Sequence, residues 1–299
     1  MKKNKLVYIG GPTCSGKTSL SIVLANTLHT EIISCDSRQI YKEISIGTAK
    51  PCQNDLKKNK HHFINHISIH DNYNVGIYYE QSMKTLESIF KTRETVILVG
   101  GSGLYADSVM NGIDNFPKIK NSVKQKINFL LKKEGMKKLN SMLKKYDPEY
   151  YSVVDKNNTR RVVRALEVCL STGKPFVSFF KKDRKNNLFE TKILLMNPDR
   201  KELYKKINSR VDKMVSLGLE KEAKKLFKYK NLNSLQTVGY KEFFNYFQGN
   251  CNYKNTIDEI KKNTRRYAKR QITWNKKYKE AFLVNENYKL NEILNFISQ

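Results

Sequence analysis

The sequence predicts an α/β fold, a parallel sheet flanked by helices with an all-α insertion. Three observations carry this. Short apolar runs at residues 6–9, 31–35, 95–99 and 192–196 alternate with stretches of helical spacing, the pattern of strands joined by right-handed crossovers. The first run enters a glycine-bounded loop, residues 11–18, that opens directly onto a helical segment. Between Asn111 and about Arg184 the strand signal stops, and lysine-rich helical patterns replace it.

The loop reads Gly11-Pro12-Thr13-Cys14-Ser15-Gly16-Lys17-Thr18. Strand, glycine-bounded turn and helix are the setting in which G-x-x-x-x-G-K-[ST] is a phosphate loop, so the sheet is P-loop NTPase-like. Gly11 and Gly16 permit backbone angles that a Cβ forbids. The loop N–H groups then turn inward as an anion nest, backed by the positive end of a helix. Lys17 adds a full charge, and the Thr18 hydroxyl is placed to ligate Mg²⁺. The loop does not say whose phosphate it holds.

At 299 residues the chain suits one large domain carrying an insertion. The expected division is a core of residues 1–112 and 185–299 and a helical insertion of residues 113–184. No run of 18 apolar residues occurs, so no membrane span is expected. The apolar run behind the basic N-terminus is too short for a signal peptide. Five scattered cysteines form no C-x-x-C pair, which points to a reducing cytoplasm rather than a disulfide framework.

Lys and Arg number 56 against 28 acids, a net +28, and such an excess attracts polyanions, nucleic acid above all. Lys, Asn, Ile and Tyr are abundant while Ala, Gly and Pro are scarce, so part of the lysine surplus is codon drift. Clustered arginine, the better phosphate fork, therefore carries more weight.

Asp36 follows the second strand and should share a rim with the phosphate loop. It could hold Mg²⁺ through water, or act as a base or orienter facing the bound phosphate, or cap the next segment. Gly100-Gly101-Ser102-Gly103 ends the third strand on the same rim. It offers backbone N–H groups and the Ser102 hydroxyl, or is a plain tight turn. His61, His62, His66 and His70 lie among Phe63, Ile64, Ile67 and Ile69, which read as strand and strand edge rather than a metal site. Residues 55–60 read as a solvated loop.

A helix opening near Thr159 carries arginines in its first turn. Cations are unfavourable there, so a phosphate ligand or an unlocated acid should compensate. After residue 200 the chain reads as helices at 200–217, 219–229, 238–248 and 256–278, then a strand at 282–284 and a final short helix. In helix 256–278, Ile260, Tyr267 and Trp274 recur every seven residues as the expected core face. Lys262, Arg265, Arg266, Lys269, Arg270, Lys276 and Lys277 crowd the rest, with no acid between Glu259 and Glu280. A contact with an RNA backbone is the reading.

Together these stretches resemble the tRNA dimethylallyltransferase (tRNA isopentenyltransferase) family, in its bacterial form. The likeness is carried by GPTCSGKT (11–18), DSRQIYKEISIGTAKP (36–51), VGGSGLYADSVMNG (99–112), NTRRVVRALEV (158–168), STGKPFVSF (171–179), LQTVGYKEFF (235–244) and TRRYAKRQITWNKK (264–277). They follow family order along nearly the whole chain. The phosphate loop alone is shared with many ATP-binding NTPases; DSRQIYK with IGTAKP, and KRQITW, are far more specific. Cys14 stands for the family's usual Ala, Ser102 for its Thr, and Asn65 for a frequent Asp.

The resemblance implies transfer of a dimethylallyl group from dimethylallyl diphosphate to N6 of adenosine 37, beside the tRNA anticodon. The loop would then hold a prenyl diphosphate with Mg²⁺ on Thr18, and Lys17 would stabilise the leaving group. Asp36 would orient the adenine amine and accept its proton, with Ser102 positioning the reactants. By resemblance the tRNA side comprises Asp36, Ser37, Arg38, Gln39 and Ser102; Arg160, Arg161, Val162, Val163 and Arg164; Gln236, Thr237, Val238, Gly239, Tyr240 and Lys241; and Lys269, Arg270, Gln271, Ile272, Thr273, Trp274, Asn275 and Lys276. The partners would be the tRNA anticodon stem-loop and dimethylallyl diphosphate, with no membrane, and the protein a cytoplasmic monomer. The alternatives are a P-loop kinase or NTPase with Asp36 as a metal residue, and an RNA-binding protein with a vestigial loop.

Overall fold

In the computed structural model, which describes residues 3–180 and 188–299, the alternation of each strand sorts its side chains into two cores. Along β1 (Lys5–Gly10), Val7 and Ile9 enter one core and Leu6 and Tyr8 the other. β2 (Ile32–Ser34), β3 (His61–His62), β4 (Thr95–Val99), β5 (Glu190–Met196) and β6 (Phe282–Val284) complete a six-stranded sheet. Its order is β3-β2-β4-β1-β5-β6, with every strand pairing parallel. Both faces of a parallel sheet are covered, so its strands are apolar throughout.

One face is covered by α1 (Lys17–Thr27) and α12 (Leu290–Ser298), whose Leu20, Leu24, Ile293 and Ile297 pack on Ile32, Ile97 and Leu194. Each such fully buried side chain contributes roughly 1.5–3 kcal/mol. The other face takes α3 (Val75–Ile89), α4 (Gly103–Asn111), α8 (Arg200–Ser216), α9 (Leu219–Leu226), α10 (Tyr240–Phe247) and α11 (Tyr253–Asn275). With all strands parallel, the segments that follow β1, β2 and β4 meet on one rim. These are the phosphate loop, Asp36 and the turn at Gly100.

The described residues form two units, one of residues 3–112 and 188–299 and one of residues 113–180. The expected boundary at 184–185 lies outside the described residues. The second unit contains α5 (Asn121–Tyr146), α6 (Pro148–Val153) and α7 (Thr159–Thr172). Its core is Ile127, Leu139, Leu143, Val162, Leu166, Val168 and Phe176. Asp147 is fully buried there; its Oδ1 accepts from Tyr150 N and its Oδ2 from Val177 N. α5 is two helical stretches meeting at Gly135, which takes a φ of 70°.

Two expectations are corrected. Residues 55–60 are not an open loop, because α2 (Gln53–Lys58) runs through them. In α7 no acid stands in the first turn beside Arg160 and Arg161, whereas Arg164, a turn further on, pairs with Glu167 at 3.6 Å and stacks over Phe116. Tyr267 and Trp274 do not face the core. The buried stripe of α11 is Thr256, Ile260, Thr264, Ala268, Gln271 and Asn275, while Tyr267 reaches Gly101 in the turn after β4 and Trp274 packs over Gly103 at the start of α4.

Candidate active site

The loop after β1 adopts the expected nest. Gly11 and Gly16 take φ of 134° and 88°, and Cys14, though not glycine, takes 64°. The Lys17 ammonium folds over the loop and donates to Pro12 O at 2.6 Å and Gly11 O at 3.0 Å. Burial, then the positive charge of Arg210, pulls its pKa down to about 8. A buried cation beside another cation is held at a cost that a bound anion would remove. Ser15 Oγ is also buried with no hydrogen-bond partner.

Arg210 comes from α8, where Leu203, Ile207, Val211 and Met214 form the buried face. Its Nη2 donates to Thr13 Oγ1 at 2.6 Å, while its buried Nε has no hydrogen-bond partner. Sequence reading missed this residue among 56 basic ones. The signal was an arginine bordering an apolar stripe, at i+3 from Ile207 and next to Val211.

Asp36 uses its two oxygens differently. Oδ1 accepts from Arg38 N at 2.8 Å and Gln39 N at 3.2 Å, the turn-capping arrangement. Oδ2 faces the Gly101 turn, 3.4 Å from where a Cβ on that glycine would stand. Capping thus uses one oxygen of the carboxylate and leaves the other toward the turn. Ser102 differs from expectation. Its hydroxyl accepts from Ser37 N at 3.0 Å and donates to Ser37 Oγ at 2.8 Å, so it braces the Asp36 segment from behind.

The turn at Gly100 is more than a tight turn. Gln271 Nε2 donates to Gly101 O at 2.9 Å, and Tyr267 Oη donates to the same oxygen at 3.2 Å. Burial, then the Asp36 charge, pushes the Tyr267 phenol well up, so it stays a donor. A Cβ on Gly101 would stand 2.6 Å from Gln271 Nε2, and one on Gly103 would collide with the Trp274 indole. Those two positions need glycine for α11 to dock. Gln271 Oε1 also accepts from Thr13 N at 2.8 Å. One side chain therefore spans the phosphate loop and the β4 turn.

These groups share one open cleft, about 770 Å³ with its mouth included. It is lined by residues 13–18, Asp36, Gln39, Arg210, Tyr267 and Gln271, and by Ala49, Pro51, Ile64 and Val99 as an apolar stretch.

A family model for IPP transferase matches residues 39–278. The chain belongs to the IPP transferase family. It is 44% identical to the tRNA dimethylallyltransferase of Flavobacterium johnsoniae, over 98% of this chain and 96% of that one. It is 46% identical to that of Christiangramia forsetii, over 96% and 95%. Among solved structures it is similar to the full-length tRNA isopentenylpyrophosphate transferase of Bacillus halodurans, at 34% identity and a TM-score of 0.73, over 99% and 96%. It is also similar to a eukaryotic dimethylallyltransferase acting on tRNA, at 28% identity and a TM-score of 0.82, over 94% of this chain and 74% of that one. As a family member the chain has the P-loop NTPase-like parallel sheet that its motifs predicted.

The residues expected on the tRNA side differ in exposure. Gln236, Lys241, Lys269, Arg270, Ile272, Thr273 and Lys276 are exposed on the first unit, and Arg160 and Arg161 are exposed on the second. Arg38 is tied inward, its Nη1 donating to Asn233 O and Ser234 O at 2.9 Å. Four side chains are buried, contrary to expectation: Tyr240, Gln271, Asn275 and, in the second unit, Val162. Gly239 is also enclosed, its N–H donating to Glu242, while Thr237, Val238 and Val163 are half-buried. The basic face of α11 is likewise less free than its sequence implied. Lys277 pairs with Asp107, Lys261 with Asp212 at 2.6 Å, and Arg265 donates to Asn208 at 2.6 Å. The missing acids lie on other helices.

Proposed function

We propose that this protein transfers a dimethylallyl group from dimethylallyl diphosphate to N6 of adenosine 37, beside the tRNA anticodon, releasing diphosphate. The observation that carries this is that one cleft is lined both by the phosphate loop with Arg210 and by the open oxygen of Asp36, beside an apolar stretch suited to a C5 group. Relatives over nearly the whole chain are named tRNA dimethylallyltransferases, which supports the reading.

Lys17, Arg210 and the loop N–H groups hold the diphosphate and neutralise the charge that grows on its bridging oxygen as the C1–O bond breaks. The N6 lone pair forms the new C–N bond, and the C1–O electron pair leaves with diphosphate. Asp36 Oδ2 takes the N6 proton. Its modest basicity suffices, because the amine becomes strongly acidic once alkylated. The adenine must leave its stack to enter the cleft, and the exposed Lys269, Arg270 and Lys276 hold the surrounding backbone.

The donor set suits Mg²⁺. Among the described residues no three His, Cys, Asp or Glu side chains cluster as a metal cage, and Mg²⁺ at phosphates takes one or two protein oxygens and completes its shell from phosphate and water. Thr18 would hold it, and the ion would add to the neutralisation of the leaving group. Ser102, through Ser37, positions Asp36. A cytoplasmic monomer is part of this proposal, in keeping with five cysteines that are free thiols.

The test is incubation with unmodified tRNA, Mg²⁺ and labelled dimethylallyl diphosphate. Label in RNA and free diphosphate should appear in equal amounts. ATP turnover without labelled RNA would contradict the reading and favour a kinase or NTPase.

A further inference from the structure

One carboxylate outside the cleft gathers an unusual set of donors. Glu222, in the first turn of α9, accepts from three consecutive backbone N–H groups, those of Ser45, Ile46 and Gly47, at 3.0–3.1 Å. The Tyr240 hydroxyl, at the start of α10, donates to the same carboxylate at 2.5 Å. Burial, then the Glu222 charge, pushes that phenol well up, so it remains a donor. The Tyr240 ring lies so close over Gly47 that a Cβ there would stand 2.5 Å from it.

The segment held in this way belongs to no strand or helix. Its internal bonds are local, from Thr48 Oγ1 to Ile44 O and from Ala49 N to Ile46 O. Glu222 is thus a charge-assisted anchor from a distant helix for a loop that lacks a ladder. The next residues reach the cleft. Thr48 O and Ala49 O accept from Gln39 Nε2 at 3.1 and 3.2 Å, and Ala49, Pro51 and Gln39 line the cavity. Gln39 N in turn donates to Asp36 Oδ1.

We infer that Glu222 is a positioning residue for the acceptor side of the reaction. It fixes residues 45–49, which fix the Gln39 side chain and with it the Gln39 N–H that holds Asp36 Oδ1; the incoming adenine is aligned on that side of the cleft. This rests on the transfer reading above. The phosphate loop is held independently, by Gln271 and Arg210. Loss of Glu222 therefore loosens the acceptor side and leaves diphosphate binding intact. The freed N–H groups lie on a half-exposed loop that water can reach, so the fold should survive.

The experiment compares wild type, Glu222→Ala, Gln39→Ala and the double variant in steady-state transfer to tRNA, with pyrophosphate affinity measured calorimetrically. Circular dichroism fixes a temperature at which every variant is folded. Glu222→Ala should lower kcat about 10- to 100-fold with pyrophosphate affinity within twofold of wild type, and Glu222→Gln, which keeps one acceptor oxygen, should fall between. In the double variant the loss should match that of Gln39→Ala alone, because both changes act on one unit. Should Glu222→Ala fail to fold, Glu222→Gln with Gln39→Ala supplies the same cycle. Unchanged kinetics, or losses that multiply in the double variant, would overturn the inference and leave Glu222 a stability residue. A wild-type protein that transfers nothing would instead overturn the transfer reading, and the inference with it.

Discussion

Arg210 Nη2 donates to Thr13 Oγ1 at 2.6 Å, tying the middle of α8 to the phosphate loop. The same guanidinium repels Lys17, after burial the largest cause of its lowered pKa. Two cations converge on one small nest, and an anion that bridges them relieves both.

Arg210→Ala should therefore weaken pyrophosphate binding about 10- to 100-fold, the worth of one or two hydrogen bonds to a charged group. Arg210→Lys should restore only part of it, since an ammonium cannot reach both Thr13 and the ligand as a planar fork does. Isothermal titration calorimetry reads both. Equal affinity in Arg210→Ala would confine the arginine to loop stiffening.

The Lys17 value of about 8 sets a pH dependence. The ligand binds the charged ammonium. Below pH 8 that form dominates and the affinity is level; above it the free protein loses the proton, and affinity should fall by up to about tenfold per unit. Lys17→Arg stays charged, so the ratio of wild type to this variant removes the ligand's own ionisation. In Arg210→Ala the break should move upward, because a repelling charge is gone. A ratio constant from pH 6 to 9.5 would contradict this.

Asp36→Asn keeps an Oδ1 acceptor for Arg38 N and Gln39 N while removing the base. Turnover should fall about 10²- to 10⁴-fold, the usual worth of general-base catalysis, with pyrophosphate affinity little changed. A large loss of affinity with normal turnover would move Asp36 to the metal.

On α11, Arg270→Ala should lower the salt slope of tRNA binding by about one unit. Lys277→Ala should leave the slope nearly unchanged, because Lys277 already pairs with Asp107. Filter binding between low and moderate salt separates the two. Equal slopes for both variants would return the outer face of α11 to a merely solvated one.

Much of this was legible in the sequence because it is local. The phosphate loop is set by glycine spacing between a strand and a helix, and the sheet by short apolar runs. Asp36 was found because parallel strands end on one rim. What was hidden depends on packing between distant segments. Arg210 reaches a loop 197 residues away. Gln271 lies within a basic stretch that suggested a tRNA contact, yet its amide is spent inside, on Thr13 and Gly101. Tyr267 looked like core because seven residues are nearly two turns, yet its hydroxyl is spent on Gly101 O at the cleft. The acids that pair with α11, Asp107 and Asp212, lie on α4 and α8, where no inspection of α11 alone could place them.

The most direct measurement is mass spectrometry of anticodon-loop nucleosides after incubation of unmodified tRNA with the protein, dimethylallyl diphosphate and Mg²⁺. A dimethylallyl group should appear on N6 of the adenosine 3′ to the anticodon, and Asp36→Asn should abolish it under conditions where diphosphate still binds. An unmodified adenosine alongside a fully folded, diphosphate-binding wild-type protein would contradict the account.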